Sequence, residues 1–152
     1  MLDLAAELPR LLPLVVHWVE SLETDALATG RPLTVTESAL ARTVGVRDVN
    51  RVRIKLVNQL PQPSHPELRL AADQTGLLGP NMVGITFGHA VFIRDGFEVN
   101  RVISHELRHV HQYEAAGSVA AFLPLYLQQI VSVGYERAPY ELDARRHERN
   151  TP

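Results

Sequence analysis

An α+β fold is what this sequence predicts, and three observations carry the prediction. Apolar residues recur at helical spacing near both ends of the chain. Short alternating apolar runs fill the middle. Glycine and proline fall between these segments rather than within most of them. Helices, then strands, then helices without regular alternation is the α+β order.

The elements follow in turn. Leu11, Leu14, Val15, Trp18 and Leu22 share one helical face, so residues from about Leu2 to Ala28 read as one or two helices stopped by Gly30. Pro9 and Pro13 predict a break or a late start, because proline removes a helix donor. Thr36 suits the N-cap of a short helix over Ser38 to Thr43, ended by Gly45. Val52, Ile54 and Leu56 alternate, giving a strand from about Arg51 to Leu60, closed by Pro61 and Pro63. Pro66 opens a helix to about Gln74. Val83 to Phe87 and Ala90 to Ile93 read as two strands, or one bent strand, around Gly88-His89. Asp95-Gly96 signals a turn, and the helical period returns from about Phe97 to Ala116. Gly117 caps that helix, and Ser118 opens another that runs to Gly134, with a kink expected at Pro124. A last helix starts near Pro139.

With 152 residues and 45% hydrophobic content, the chain suits one domain over 1–152. Residues 1–60 form its N-terminal helical and strand segment, and 81–148 its chemical core. The net charge of −2 argues against a basic face, so nucleic acid is not an expected partner. The run Leu11 to Val16 follows Asp3 and Glu7 rather than a basic region, which argues against a signal sequence. No apolar run approaches ~18 residues, so no membrane span is expected and cytoplasmic residence is the simplest reading. The sequence contains no cysteine, so any metal site must use His, Asp and Glu. Such nitrogen and oxygen donors suit a catalytic zinc better than a structural one.

His105-Glu106-Leu107-Arg108-His109 supplies those donors. Two His at i and i+4 lie about 40° apart around a helix, so both imidazoles can reach one Zn2+. Glu106 is rotated about 100° from His105, which suits a general base beside the reacting water rather than a ligand. Val99, Val102, Ile103, Leu107 and Val110 form an apolar stripe with the His pair at its edge, a partly buried setting. His111 points away from His109 and is rejected as a ligand. Gln112 returns to the face of His105, either to orient a ligand or as a polar residue at the helix edge.

A catalytic zinc needs a third protein ligand. Glu114, Glu136, Glu141, Asp143 and His147 are the downstream candidates. Glu141 is preferred: Pro139 opens its helix, and Ala144, one turn on, permits close approach. Its rival role is a first-turn acid favoured by the helix dipole. Tyr126, Tyr135, Tyr140 and His89 are candidates to stabilise an oxyanion.

His-Glu-x-x-His with a downstream helical Glu resembles the gluzincin arrangement of zinc metallopeptidases. Residues His105 to Arg145 further resemble small bacterial zincin-like domains of uncharacterised function, through His-Val-His-Gln-Tyr-Glu, Gly117, Phe122, Tyr126, Gly134-Tyr135 and Pro139-Tyr140-Glu141. Gly84 to Ile93 fits the strand that precedes their metal helix. The resemblance covers roughly the C-terminal half. It implies a zincin fold with a small mixed or antiparallel sheet packed on the metal helix. It also implies zinc on His105, His109 and Glu141, with Glu106 as base. The implied activity is hydrolysis of peptide bonds in a peptide or protein substrate, held by strand addition along Gly88 to Ile93. Arg145 stands where some larger gluzincins carry an Asp that supports a histidine ligand, which leaves Asp143 as the candidate for that support.

Two other readings compete. One is a zincin-like module that binds zinc without turnover and acts in protein interaction or regulation. The other is a helix-turn-helix DNA binder, since Ala39 to Val46 resembles the first helix and turn of that motif and Arg47, Arg51, Arg53 and Lys55 follow. Alternation at Val52, Ile54 and Leu56 argues against it, because a strand stands where the recognition helix belongs.

Overall fold

A computed structural model describes residues 1–150. In chain order its elements are α1 (Leu4–Thr29), β1 (Arg31–Pro32), α2 (Val35–Thr43), β2 (Arg53–Val57), α3 (Pro66–Thr75), β3 (Gly84–Phe87), β4 (Ala90–Arg94), α4 (Asn100–Ala116), α5 (Val119–Val133) and α6 (Pro139–Arg146). Among the described residues the class is α+β, with six α-helices and a four-stranded mixed sheet.

The sheet is organised by β4. Ala90, Val91, Phe92 and Ile93 are all buried, which is how a strand covered on both faces reads in sequence. The strand order is β1-β2-β4-β3. β2 runs parallel to β4 with Ile54 opposite Val91, β3 runs antiparallel to it with Thr86 opposite Val91, and β1 pairs antiparallel with β2. Because successive side chains alternate, β4 feeds two cores. Phe92 and Ala90 join Val19, Phe122 and Ile130 of α1 and α5. Val91 and Ile93 join Val102, Leu107 and Val110 of α4, with Ala41 of α2 and the following Val44. Each fully buried large side chain contributes about 1.5–3 kcal/mol, so the apolar stripe of α4 fixes that helix on the sheet.

β3 and β4 are two strands joined by a tight turn. Gly88 has φ +67°, and a side chain there would run into the Glu23 carboxylate. The turn therefore requires glycine at this position. The Glu23 carboxylate instead accepts the His89 backbone N–H at 2.8 Å.

Several boundaries differ from the sequence reading. α1 continues through Pro9 and Pro13 without a break. Its inner residues Leu11, Val19 and Ala26 are buried, and that packing outweighs the loss of two donors near one end. α2 is capped by Thr34 rather than Thr36: Thr34 Oγ1 accepts the Glu37 N–H at 3.1 Å, and Glu37 Oε1 accepts the Thr34 N–H at 2.9 Å. This is a capping box, legible in Thr34-Val35-Thr36-Glu37. The strand expected over Arg51 to Leu60 is shorter, since Val49–Arg51 forms a 3₁₀ turn and the strand ends at Val57. β1, only two residues long, was not foreseen. α4 begins at Asn100, after an extended Val99, rather than near Phe97.

After α2 the chain enters that 3₁₀ turn and then β2, so the second helix of a helix-turn-helix is absent among the described residues. No single described helix is long and apolar enough to cross a membrane.

Candidate metal centre

Two helices bring the donors together. α4 carries His105 and His109 one turn apart, with ring centroids 5.0 Å from each other. α6 opens at Pro139 and carries Glu141, which is 2% exposed. His105 Nε2 lies 3.1 Å from Glu141 Oε1, and His109 Nε2 lies 3.1 Å from Glu141 Oε2. One ligand atom from each of the three residues lies within 4.8 Å of the others. Two imidazole nitrogens and a carboxylate oxygen form a donor set of the His₂Glu type that zinc takes in catalytic sites.

Each imidazole is oriented through the nitrogen that faces away from Glu141. His105 Nδ1 is 2.8 Å from Glu148 Oε2, and His109 Nδ1 is 2.7 Å from Gln112 Oε1. An acceptor on Nδ1 keeps a ring proton there, so Nε2, which faces Glu141, is the nitrogen that could take a cation once its own proton is displaced. Gln112 is itself fixed, donating to the Tyr140 carbonyl at 3.0 Å and to Asp143 Oδ2 at 2.9 Å. Asp143 therefore touches neither histidine. It holds Gln112 and takes the Arg108 guanidinium at 2.8 Å, whose hydrogen bonds overcome burial and lower its carboxyl to about 2. Arg108 also donates to the Val44 carbonyl, joining the end of α2 to α6.

The electrostatics are those of two imidazoles sharing one buried carboxylate. Burial works against charge on His109, yet the Glu141 carboxylate outweighs it and carries the imidazolium up to about 9. Burial likewise opposes charge on His105, and its hydrogen bond to Glu141 prevails, so its pKa also rises. Glu141 moves the other way: burial alone would raise it, but the two imidazoles hold it far below the usual carboxylate range. Tyr126, buried on α5, donates its O–H to Glu141 Oε2 at 2.9 Å.

Glu106 sits beside this cluster, 5% exposed. Thr86 on β3 donates to Glu106 Oε1 at 2.8 Å. Burial, with the nearby Glu141 charge, raises the Glu106 carboxyl pKa despite the opposing imidazoles. Gly84 on β3 lies against it, since an added Cβ would stand 3.1 Å from Glu106 Cγ and 3.2 Å from its carboxyl carbon. Glycine is what lets the strand backbone approach that carboxylate.

A cleft of about 570 Å³ opens onto His105 and Glu106. Gly84, Tyr135, Arg101 and Arg145 are among its walls. Burial, then the charges of Glu141 and Glu106, raises the Tyr135 pKa, so its hydroxyl keeps its proton. Glu136, another ligand candidate from the sequence, stands on the rim with its side chain 87% exposed.

Other candidates are committed elsewhere. His89 Nε2 pairs with Glu114 Oε2 at 2.9 Å, and Glu114 also accepts the Arg47 and Asp48 backbone N–H groups at 2.8 and 2.9 Å. That network ties the hairpin turn to the end of α4, so neither His89 nor Glu114 serves the centre. Tyr140 stacks on Phe122 at 4.8 Å, and His147 Nδ1 bonds to the Asp143 carbonyl. Strand addition along Gly88 to Ile93 is closed, because β4 is paired on both sides. β3 has the free edge. The bond from Arg94 N to Val83 O sets an alternation that turns the backbones of Gly84 and Thr86 outward, and Tyr113 O–H caps the Thr86 carbonyl at 3.2 Å.

Glu148 and Thr86 were missed by sequence reasoning. Glu148 follows the end of α6, and Thr86 lies twenty residues before the motif on another element, so no local pattern marks either one. No family model, curated protein or solved structure matches the chain.

Proposed function

We propose that this chain is a zinc-dependent hydrolase of the zincin kind, gluzincin-like in its ligand set, that cleaves peptide bonds. One observation carries the reading: His105, His109 and Glu141 converge from two helices while Glu106 stands beside them at the floor of an open cleft. The donor chemistry fits Zn2+, and the Nδ1 partners leave both Nε2 atoms facing inward. When bound there, zinc would lower the pKa of a water and polarise a carbonyl.

The residues of the chain do the rest. Glu106, its pKa raised by burial, takes a proton from the attacking water at its carboxylate and returns it to the leaving nitrogen. The Thr86 hydroxyl and the Gly84 backbone keep that carboxylate in one place. Tyr135 keeps its proton and faces the cleft, which makes it the donor to the carbonyl oxygen. The outward backbone of Gly84, the part of the β3 edge that lines the cleft, is where an extended peptide would pair. The cleft also favours turnover over a purely structural zinc, since a structural site is closed on all sides.

The test combines elemental analysis of untagged protein with cleavage of a broad peptide library. Parent and Glu106→Gln should each carry one zinc, and the variant should cleave about 10²–10⁴-fold more slowly. Equal rates would remove Glu106 from the chemistry, and zinc-free parent protein would remove the site.

A further inference from the structure

A second space lies on the other side of the metal centre. It is a cavity of about 130 Å³ between α1, α3, α5 and β3, with walls that are almost wholly carbon. Leu8 and Leu11 of α1, Leu68 and Ala72 of α3, Ile85 of β3 and Leu127 of α5 are among its lining residues. His109 and Tyr126 are also among its lining residues, whereas His105 and Glu106 line the open cleft. Thr75 borders both spaces. The half-buried Leu4, Leu8, Ala71 and Ala72 mark the side on which it meets solvent.

Polar contacts flank the gap at both ends of α3. At the start of α3, the Arg10 guanidinium of α1 forks onto Glu67 at 3.0 and 2.5 Å. At the other end, Gln74 accepts the Leu2 N–H at 2.8 Å and donates to the Leu2 carbonyl at 3.0 Å. Between these clasps α3 turns Leu68, Ala71, Ala72 and Thr75 inward, the i, i+3, i+4, i+7 face. Two alanines at its centre are too small to reach α5. The clasps tie α3 to α1 at both ends of the space. Protein interiors normally hold few voids larger than a water molecule. A water here would find almost no polar partner, and carbon-walled cavities of similar size take benzene-sized guests instead.

We propose that this cavity is a binding site for an uncharged hydrocarbon group of about benzene's bulk, either a short aliphatic chain or an aromatic ring. The inference does not depend on zinc or turnover, and its test is run with chelator present.

Thermal melts of the full chain with benzene, n-hexanol or N-acetyl-phenylalaninamide provide the first readout. At about ten times its Kd, a guest should raise Tm by about 3–6 °C. A rise with n-hexanol but not the amide assigns the site to a free chain, and a rise with the amide assigns it to a polypeptide side chain. Ala72→Phe fills the space and should abolish the rise, with Ala71→Leu as the second filling variant. Should neither variant fold, NOEs from benzene to the methyl groups of Leu68 and Leu127 in the parent still locate the guest. No rise with any of the three guests would overturn the proposal. So would an equal rise in a folded filling variant, or NOEs confined to other residues.

Discussion

Replacing Glu141 with alanine is the perturbation that most directly tests the metal centre. The side chain is 2% exposed, and its two oxygens lie 3.1 Å from His105 Nε2 and His109 Nε2. Removal leaves a bound cation with two imidazoles and leaves the buried Tyr126 O–H without its acceptor. Deleting one partner of a buried charge pair costs about 3–5 kcal/mol, which corresponds to about 10²–10⁴-fold in Kd for zinc. Residues that only orient a ligand should cost less. Glu148→Ala and Gln112→Ala should each weaken zinc about 10–100-fold, because each removes the acceptor from one histidine Nδ1. Asp143→Ala acts one step further out, through Gln112, and should fall below both. Glu136→Ala removes a rim side chain that is 87% exposed and should change nothing measurable. The assay is competition for zinc against a chromophoric chelator at pH 7, with far-UV circular dichroism to verify folding. Glu141→Gln keeps the shape and a carbonyl for Tyr126, separating loss of charge from loss of packing. Parental zinc affinity in Glu141→Ala, or an equal loss in Glu136→Ala, would refute the assignment.

Further expectations address the surroundings of the site. Gly84→Ala should retain zinc but slow peptide cleavage at least about tenfold, because a Cβ 3.1 Å from Glu106 Cγ must displace that carboxylate; parental kinetics would show that the base tolerates movement. Glu114→Ala should lower unfolding free energy by about 1–3 kcal/mol in urea melts without changing zinc content, since it strips acceptors from Arg47 N, Asp48 N and His89. Burial would raise the Glu114 pKa, but the hydrogen bonds from Arg47, Asp48 and His89 lower it overall. A depressed carboxyl lends stability above its unfolded pKa, and that stability disappears as pH falls through the folded value. The gap between parent and variant should therefore be full at pH 7 and shrink in acid; a gap that widens in acid would contradict the network.

The sequence by itself determined the helix that carries the motif, the apolar stripe that fixes which side of it is buried, and the run Ala90 to Ile93 that marks a strand. These are legible because 3.6 and 2.0 residue periods act within a few neighbours. It also placed Glu141 on a helix of its own, since Pro139 is a local start signal. Propensity misled where packing prevailed, as at Pro9 and Pro13, which stay inside α1 because its inner face is buried along most of its length. Only the tertiary structure decided which carboxylate meets the histidines and which partners orient them. Glu141, Asp143 and Glu148 are chemically alike and close in sequence, yet one faces both Nε2 atoms, one holds Gln112, and one lies on His105 Nδ1. That choice depends on how α6 crosses α4, and the crossing is set by contacts between side chains tens of residues apart, which no local period encodes.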